Sequence, residues 1–403
     1  MPQGTATGIQ PFRGLVVRPE VAHDVVSPAY DAMTGPQRRA FRTDHPDSFL
    51  HVTRSAEDEP DGDDIDNATL VARGRRALDR LIERDVFASH GEPAYYVYRL
   101  AIGDHEQHGL VCEVPSAYYH SVAKPHEAVR PARAALLAEH FQVVRAASSP
   151  IACATRDDEA LLQNVLIEAC EGDPILDLRT DDGLRQTVWR CDSQAFGDRV
   201  ESCLADAPLF IVDGHHRSAA NQQLADQGTD VPVLATIFPD RSLNLVGFHR
   251  LLAVSQPEVI SDILYEIGRR FATTVVPPVD HLDAGHVALV IDGRWHLVTF
   301  DERPVAGSAQ ILLGSVDPVV LEREILRGIV APITDFSISY IPDLGTFGAI
   351  VELAEADKLV PVLVPPVTMA EMMAVAEGGV IMPAKSTYFT PKVRSGLFLL
   401  PFD

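Results

Sequence analysis

Residues 208–228, PLFIVDGHHRSAANQQLADQG, leave the chain little conformational choice. The run PLFIV is continuously apolar and reads as a buried strand. Asp213-Gly214 ends it with turn chemistry, because glycine accepts a positive φ at no steric cost. The small and helix-compatible residues of SAANQQLAD then start a helix at the strand's C-terminal edge. His215, His216 and Arg217 fall at the junction, three potential cations side by side. A helix beginning there turns backbone N–H groups and the positive end of its dipole outward, a ready place for an anion such as phosphate. The bland alternative is an ordinary strand-to-helix turn with Asp213 as N-cap and surface histidines. A metal held by both histidines is disfavoured, since neighbours in a helical turn diverge by about 100° and helical metal pairs prefer i, i+4 spacing.

The basic junction stands out against its background. The 403 residues hold 34 Lys and Arg against 57 Asp and Glu, a formal charge of −23. A surface so acidic repels phosphate backbones, which argues against nucleic-acid binding by a broad basic face. Hydrophobic residues make up 46% of the chain, enough for real cores and two or three domains. No apolar run approaches the roughly 20 residues of a membrane span. The opening MPQGTATGIQPFRG lacks a basic-then-apolar signal, so the cytoplasm is the expected location. Cys112, Cys153, Cys170, Cys191 and Cys203 are scattered, with no CxxC pair to suggest a zinc knuckle or disulfide framework.

Composition and periodicity divide the chain at 1–92, 93–252 and 253–403. The first region holds a strand-like GLVVRP, the turn-rich VVSPAYD, the acidic run 55–66 expected as a solvated loop, and a helix over 69–87. The middle region alternates strands (AYYVYRLAI, HGLVCEV, SPIACAT, TVWRC, PLFIV, VPVLATIF, LNLVGFHRLL) with helices (130–141, 158–172 and the segment after DGHHR). The third opens on a helix, continues in a hairpin with Asp-Gly at its turn (VALVIDGRWHLVTF), and ends in GVIMPAKSTYFTPKVRSGLFLLPFD.

Three further stretches carry chemistry. In VAKPHEAVRPARAALLAEHF (122–141), Lys124, His126 and Glu127 precede a helix starting near Pro131. Glu127 either compensates the helix dipole or acts as a general base on an attacking hydroxyl, with Lys124 or His126 neutralising charge near a phosphate. In MPAKSTYFTPK (382–392), Lys385, Ser386, Thr387 and Lys392 can cradle an oxyanion or simply form a terminal strand with surface lysines. The P-loop glycines are absent. In SPAYDAM (27–33), Tyr30 and Asp31 follow a proline turn and are the candidate substrate contacts, though alone the segment is merely a turn.

The order of PFRGL (11–15), SPAYD (27–31), KPHE (124–127), VDGHHR (212–217) and MPAKSTYFTPK (382–392) resembles the domain-of-unknown-function 1015 family of bacteria and archaea over nearly the whole chain. Within 122–250 the order of HE, helix, SPI strand and DGHHR-helix also resembles the ParB/sulfiredoxin-like superfamily, which includes free serine kinases. The implied fold is α+β: a mixed-sheet ParB/sulfiredoxin-like nucleotide-binding domain at 93–252, with additional N- and C-terminal α/β regions.

By the same resemblance the loop of Asp213, Gly214, His215, His216 and Arg217 binds nucleotide phosphates and Glu127 is the base; the residues themselves add Lys385, Ser386 and Thr387 to the phosphate site and His126 and Lys124 beside the base. Asp213 is a turn former or a metal-side carboxylate. ATP or ADP with Mg²⁺ is the implied cofactor set. The function implied is a nucleotide-dependent kinase acting on a small hydroxyl compound, free serine first. A phosphohydrolase of small phosphate esters and a non-catalytic nucleotide-binding switch remain alternatives. Expected partners are a small-molecule substrate and nucleotide, without nucleic acid or membrane, and with homodimerisation open. Sulfiredoxins carry a nucleophilic cysteine where His215 stands, so sulfinic-acid repair is excluded. No helix-turn-helix with basic flanks follows the motif, a departure from DNA-partitioning relatives.

Overall fold

The computed structural model describes residues 8–53, 56–59, 65–205, 207–300 and 313–402. By compactness it groups into two units. The first runs to Lys124, resumes over Val129–Leu243, and takes up the chain again from Pro391. The second comprises Pro125–Ala128 and Asn244–Thr390. This grouping follows contacts, and its limits differ from the compositional ones at 92 and 252. Elements are mixed α and β throughout, and no helix among the described residues is long and apolar enough to cross a membrane.

The first unit is built on an eight-stranded mixed sheet. Its strands are β1 (Tyr95–Ile102), β2 (His105–Val114), β3 (Ala123–Lys124), β4 (Ile151–Thr155), β5 (Leu176–Arg179), β6 (Arg185–Cys191), β7 (Leu209–Asp213) and β8 (Val233–Pro239), in the spatial order β3-β7-β4-β8-β2-β1-β6-β5. β7 runs parallel to β3 and antiparallel to β4, whereas β8 runs parallel to β4. Alternation explains the burial. Leu209, Ile211, Val233, Ala235, Ile237, Leu110 and Cys112 turn to one face and pack against Leu162, Val165 and Leu166 of helix Leu161–Glu168 and Phe196, Val200 and Leu204 of helix Gln194–Leu204. A smaller cluster joins α2 (Pro131–Val144) to α3 (His215–Asp226) through Ala138, Ala220 and Leu224. Between β7 and β4 the register slips, pairing Ile211 with Cys153 but Asp213 with Ala152. Such a bulge re-aims the residue at the strand's end. A second sheet places Phe398–Pro401 between Leu15–Val17 and Ala146–Ala147.

The second unit holds a six-stranded sheet covered on both faces. Leu252, Val287, Leu289, Val298 and Val362 pack on the helices Ile260–Arg270 and Leu321–Val330, and their neighbours Leu251, Ala288, Val290 and Leu363 pack with Trp295 on helix Phe347–Ala356. The hairpin read from Asp-Gly is present. Strands His286–Ile291 and Arg294–Thr299 meet through Asp292 and Gly293 at φ 49° and 71°, the paired positive angles of a tight hairpin turn.

The acidic run corrects the expectation of a solvated loop where it is described; residues 55 and 60–64 lie outside the described residues. Asp58 is 1% exposed. It accepts from Arg38 Nε at 2.6 Å and from the Tyr30 hydroxyl at 2.9 Å, while Arg38 also donates to the Tyr30 and Met33 carbonyls. Glu59 pairs with Arg42 at 3.0 Å, and Asp66 accepts from the Thr69 N–H to cap α1 (Asn67–Glu83). The charges are used to pin a turn-rich segment that has few apolar residues of its own. Removing one partner of a buried pair strands the other charge. Asp58→Asn therefore lowers stability by about 3–5 kcal/mol, measured as the shift in urea midpoint, and a change within about 0.5 kcal/mol contradicts the pinning role.

Candidate functional site

β7 gives way to α3 through Gly214, which sits at the N-cap with φ 98° and ψ 25°. No side chain caps the helix. The positive φ favours glycine here, and a Cβ would lie 2.9 Å from Arg217 Nη2 and press the guanidinium aside.

Asp213 is the hub of this junction. Its Oδ2 accepts from Arg217 Nη2 at 2.6 Å and its Oδ1 from Lys392 Nζ at 2.7 Å. Arg217 goes further, donating through Nη1 to the carbonyls of Ser149 (2.6 Å) and Pro150 (3.0 Å) at the entry to β4. One carboxylate thus carries two cations, a local net charge of about +1 beside the positive end of α3. Asn221, one turn and more along the helix, locks it in place: its Oδ1 accepts from Ser116 Oγ and its Nδ2 donates to the Val231 carbonyl.

The two histidines differ from the cations that the sequence suggests. His215 is 8% exposed, and its pKa is pushed down to about 3, first by burial and then by His216, Lys392 and Arg217. It is neutral at physiological pH. His216 Nε2 accepts from the Arg130 backbone N–H at 3.2 Å, and an accepting nitrogen carries no proton. The positive charge at the junction comes from Arg217 and Lys392.

Asp213 does not fit the metal-side role expected of it, because both oxygens already face cations and Mg²⁺ needs open oxygen ligands. A phosphate-bearing ligand fits the donor set better: an uncapped helix start, a glycine with no Cβ, and a net positive pair.

The second unit assembles the HE and KST motifs. The Glu127 carboxylate accepts from the Lys385 backbone N–H at 3.3 Å, and Glu127 bridges Met382 in a short parallel pairing. Lys385 holds φ 63°, a left-handed conformation uncommon outside glycine. Its ammonium lies 5.2 Å from the centre of the Phe248 ring. His126 is wholly buried and its Nε2 lies 2.9 Å from Thr387 Oγ1. Ser386 Oγ donates to the Pro383 carbonyl. Of the two hydroxyls expected at a nucleotide, that of Ser386 braces its own loop and that of Thr387 meets His126.

The remaining expected residues lie elsewhere. Lys124 ends β3, opposite Phe210 of β7. Tyr30 is committed to Asp58 through its hydroxyl and lies under the Arg38 guanidinium, 3.9 Å from ring centre. Asp31 falls in the short helix Tyr30–Ala32. Lys392, named in the sequence with Lys385, Ser386 and Thr387 as an oxyanion-cradling residue, stands beside Asp213 although 179 residues separate the two.

Two outcomes test this geometry. Gly214→Ala places a side chain at positive φ against Arg217, and costs roughly 1–3 kcal/mol, read from thermal or urea unfolding; unchanged stability contradicts the tight turn. His215 gives a pH signature. Its unfolded form takes up a proton near 6.5 and the folded form only near 3, so stability is lost as pH falls through that window, by up to about 1.4 kcal/mol per unit. Comparing urea unfolding at pH 7 and 4.5, the wild type loses more stability than His215→Gln. Parallel losses contradict a buried neutral imidazole.

None of the curated proteins matches the chain. Among solved structures, a mutant free serine kinase in complex with AMP is 13% identical at a TM-score of 0.37, over 70% of this chain and 90% of that one. A conserved hypothetical protein from Pyrococcus furiosus is 12% identical at 0.35, over 73% and 95%. SbnI with a C-terminal truncation, from Staphylococcus aureus, is 14% identical at 0.38, over 71% and 85%. Likeness of this degree leaves the reading of the site to the residues themselves. A family model described as "Protein of unknown function (DUF1015)" matches residues 9–320, and the chain belongs to that family.

Proposed function

We propose that the protein is a nucleotide-dependent kinase that phosphorylates a hydroxyl of a small molecule, free serine being the first acceptor to test. The observation that carries this reading is the junction of β7 and α3, where Gly214 leaves the helix uncapped and Arg217 and Lys392 together outweigh Asp213. A phosphate chain is the anion that suits several N–H donors and a point charge from Lys392. Arg217 serves mainly as a clamp between α3 and the start of β4, since its donors are directed at the Ser149 and Pro150 carbonyls and Asp213.

ATP or ADP is the phosphoryl donor in this reading. The acceptor oxygen bonds to the terminal phosphorus as the bond from that phosphorus to the nucleotide's bridging oxygen breaks, and the hydroxyl proton passes to the Glu127 carboxylate. A general base must be held in orientation, and the Lys385 N–H supplies one such hold. No step is assigned to Mg²⁺ at Asp213.

Glu127→Gln keeps shape and removes basicity, so turnover falls by roughly 10²–10⁴ while nucleotide affinity holds. Lys392→Met does the reverse, weakening nucleotide binding about tenfold or more. The assay measures phosphoserine formation from serine with ATP and with ADP, alongside nucleotide titration by calorimetry. Full turnover in Glu127→Gln removes the base assignment, and nucleotide binding untouched by Lys392→Met removes the phosphate site.

A further inference from the structure

Away from both motifs, two segments of the first unit bring His23, Asp24 and His45 together, with one ligand atom from each lying within 4.8 Å of the others. His23 and Asp24 lie on the short helix Ala22–Val25, and His45 caps the C-terminus of helix Gly35–Asp44. His23 Nδ1 is 3.8 Å from Asp24 Oδ1, and the two imidazole centres are 5.9 Å apart. The second nitrogen of His23 is also engaged: Nε2 lies 3.2 Å from Asp181 Oδ1, in the turn between β5 and β6. A carboxylate on the far nitrogen is the arrangement that fixes the tautomer of a metal-ligating histidine and raises its basicity. His45 is likewise held, stacked on Phe41 with ring centres 4.3 Å apart and planes at 25°.

We propose that His23, Asp24 and His45 form a binding site for a zinc-class divalent ion, with Asp181 as the positioning residue behind His23. Two imidazoles and one carboxylate suit Zn²⁺ and its first-row neighbours, whereas Ca²⁺ and Mg²⁺ favour all-oxygen shells. Tetrahedral ligands at the usual zinc distances stand about 3.3 Å apart. The cluster closes to that spacing by rotation of side chains that are 48% exposed at His23 and 63% at Asp24. Solvent fills the fourth position. The ion would tie together segments around residues 23, 45 and 181, and so stabilise the native chain alone. The nucleotide reading is not needed for this site.

The test uses full-length protein stripped with a chelator, then titrated with Zn²⁺ by calorimetry and with Co²⁺ by visible absorption. Wild type is expected to bind one ion with the absorption of a tetrahedral nitrogen–oxygen site and to gain thermal stability. His45→Phe keeps the stack on Phe41 and removes the ligand, and should abolish this binding. Asp181→Asn should weaken it by about 10–100-fold. Asp24→Asn, at an exposed position, gives a second ligand loss that does not depend on the His45 packing. Equal zinc affinity in wild type, His45→Phe and Asp24→Asn would overturn the proposal, because the ion would then be held by other histidines of the chain.

Discussion

One carboxylate, Asp213, holds together the edge of the first unit where β7 gives way to α3. Arg217 is four residues away on the next helix and Lys392 comes from the far end of the chain, yet both meet on its two oxygens. Through Arg217 the grip extends to the Ser149 and Pro150 carbonyls and so to β4. A strand end, a helix start, a neighbouring strand's entry and the returning C-terminal segment are therefore fixed by a single charge. Each member is only partly exposed, with side chains 18% (Arg217), 11% (Asp213) and 11% (Lys392) open to solvent. Pairs so placed feel less screening than surface ions, which is why the arrangement can set geometry as well as charge.

The electrostatic character of the junction follows from that grip more than from its histidines. Packing one imidazole beside two cations, out of water, makes the neutral form cheaper than the charged one. A neutral His215 keeps a hydrogen-bonding ring in the turn without adding a third positive charge to a cluster that Asp213 already has to balance. His216 is spent on the Arg130 N–H, at the entry to α2, so that it braces two helix starts against each other.

What the sequence made legible was local. The β7-to-α3 turn, the Asp292-Gly293 hairpin and the start of α2 at Pro131 depend on residues within a few positions of one another, and periodicity and turn chemistry expose them. The mixed α and β character followed from the same signals. Long-range partnerships had no such trace. Thr387 meets His126 across 261 positions, and Asp58 is buried by Arg38 inside a run whose composition reads as solvent-facing. Charge state was equally hidden, since His215 is titrated by its burial and burial is decided by the fold. The motif residues were visible as motifs, but their division of labour was not: Ser386 braces its own loop, Thr387 meets His126, Tyr30 anchors a buried ion pair, and Lys392 rather than His215 brings the charge.

The strand Phe398–Pro401 lies between Leu15–Val17 and Ala146–Ala147, so an early strand waits for a partner made about 380 residues later. At roughly 5–20 residues per second of synthesis, the wait is about 20–80 s. During it Val16 and Val17, both buried in the finished protein, lack part of their cover, and Lys392 has not yet reached Asp213. The first unit is thus completed from both ends at once, after the second has been synthesised in between. Residues 391–402 therefore bring the first unit its closing strand and its second Asp213 cation in one late segment.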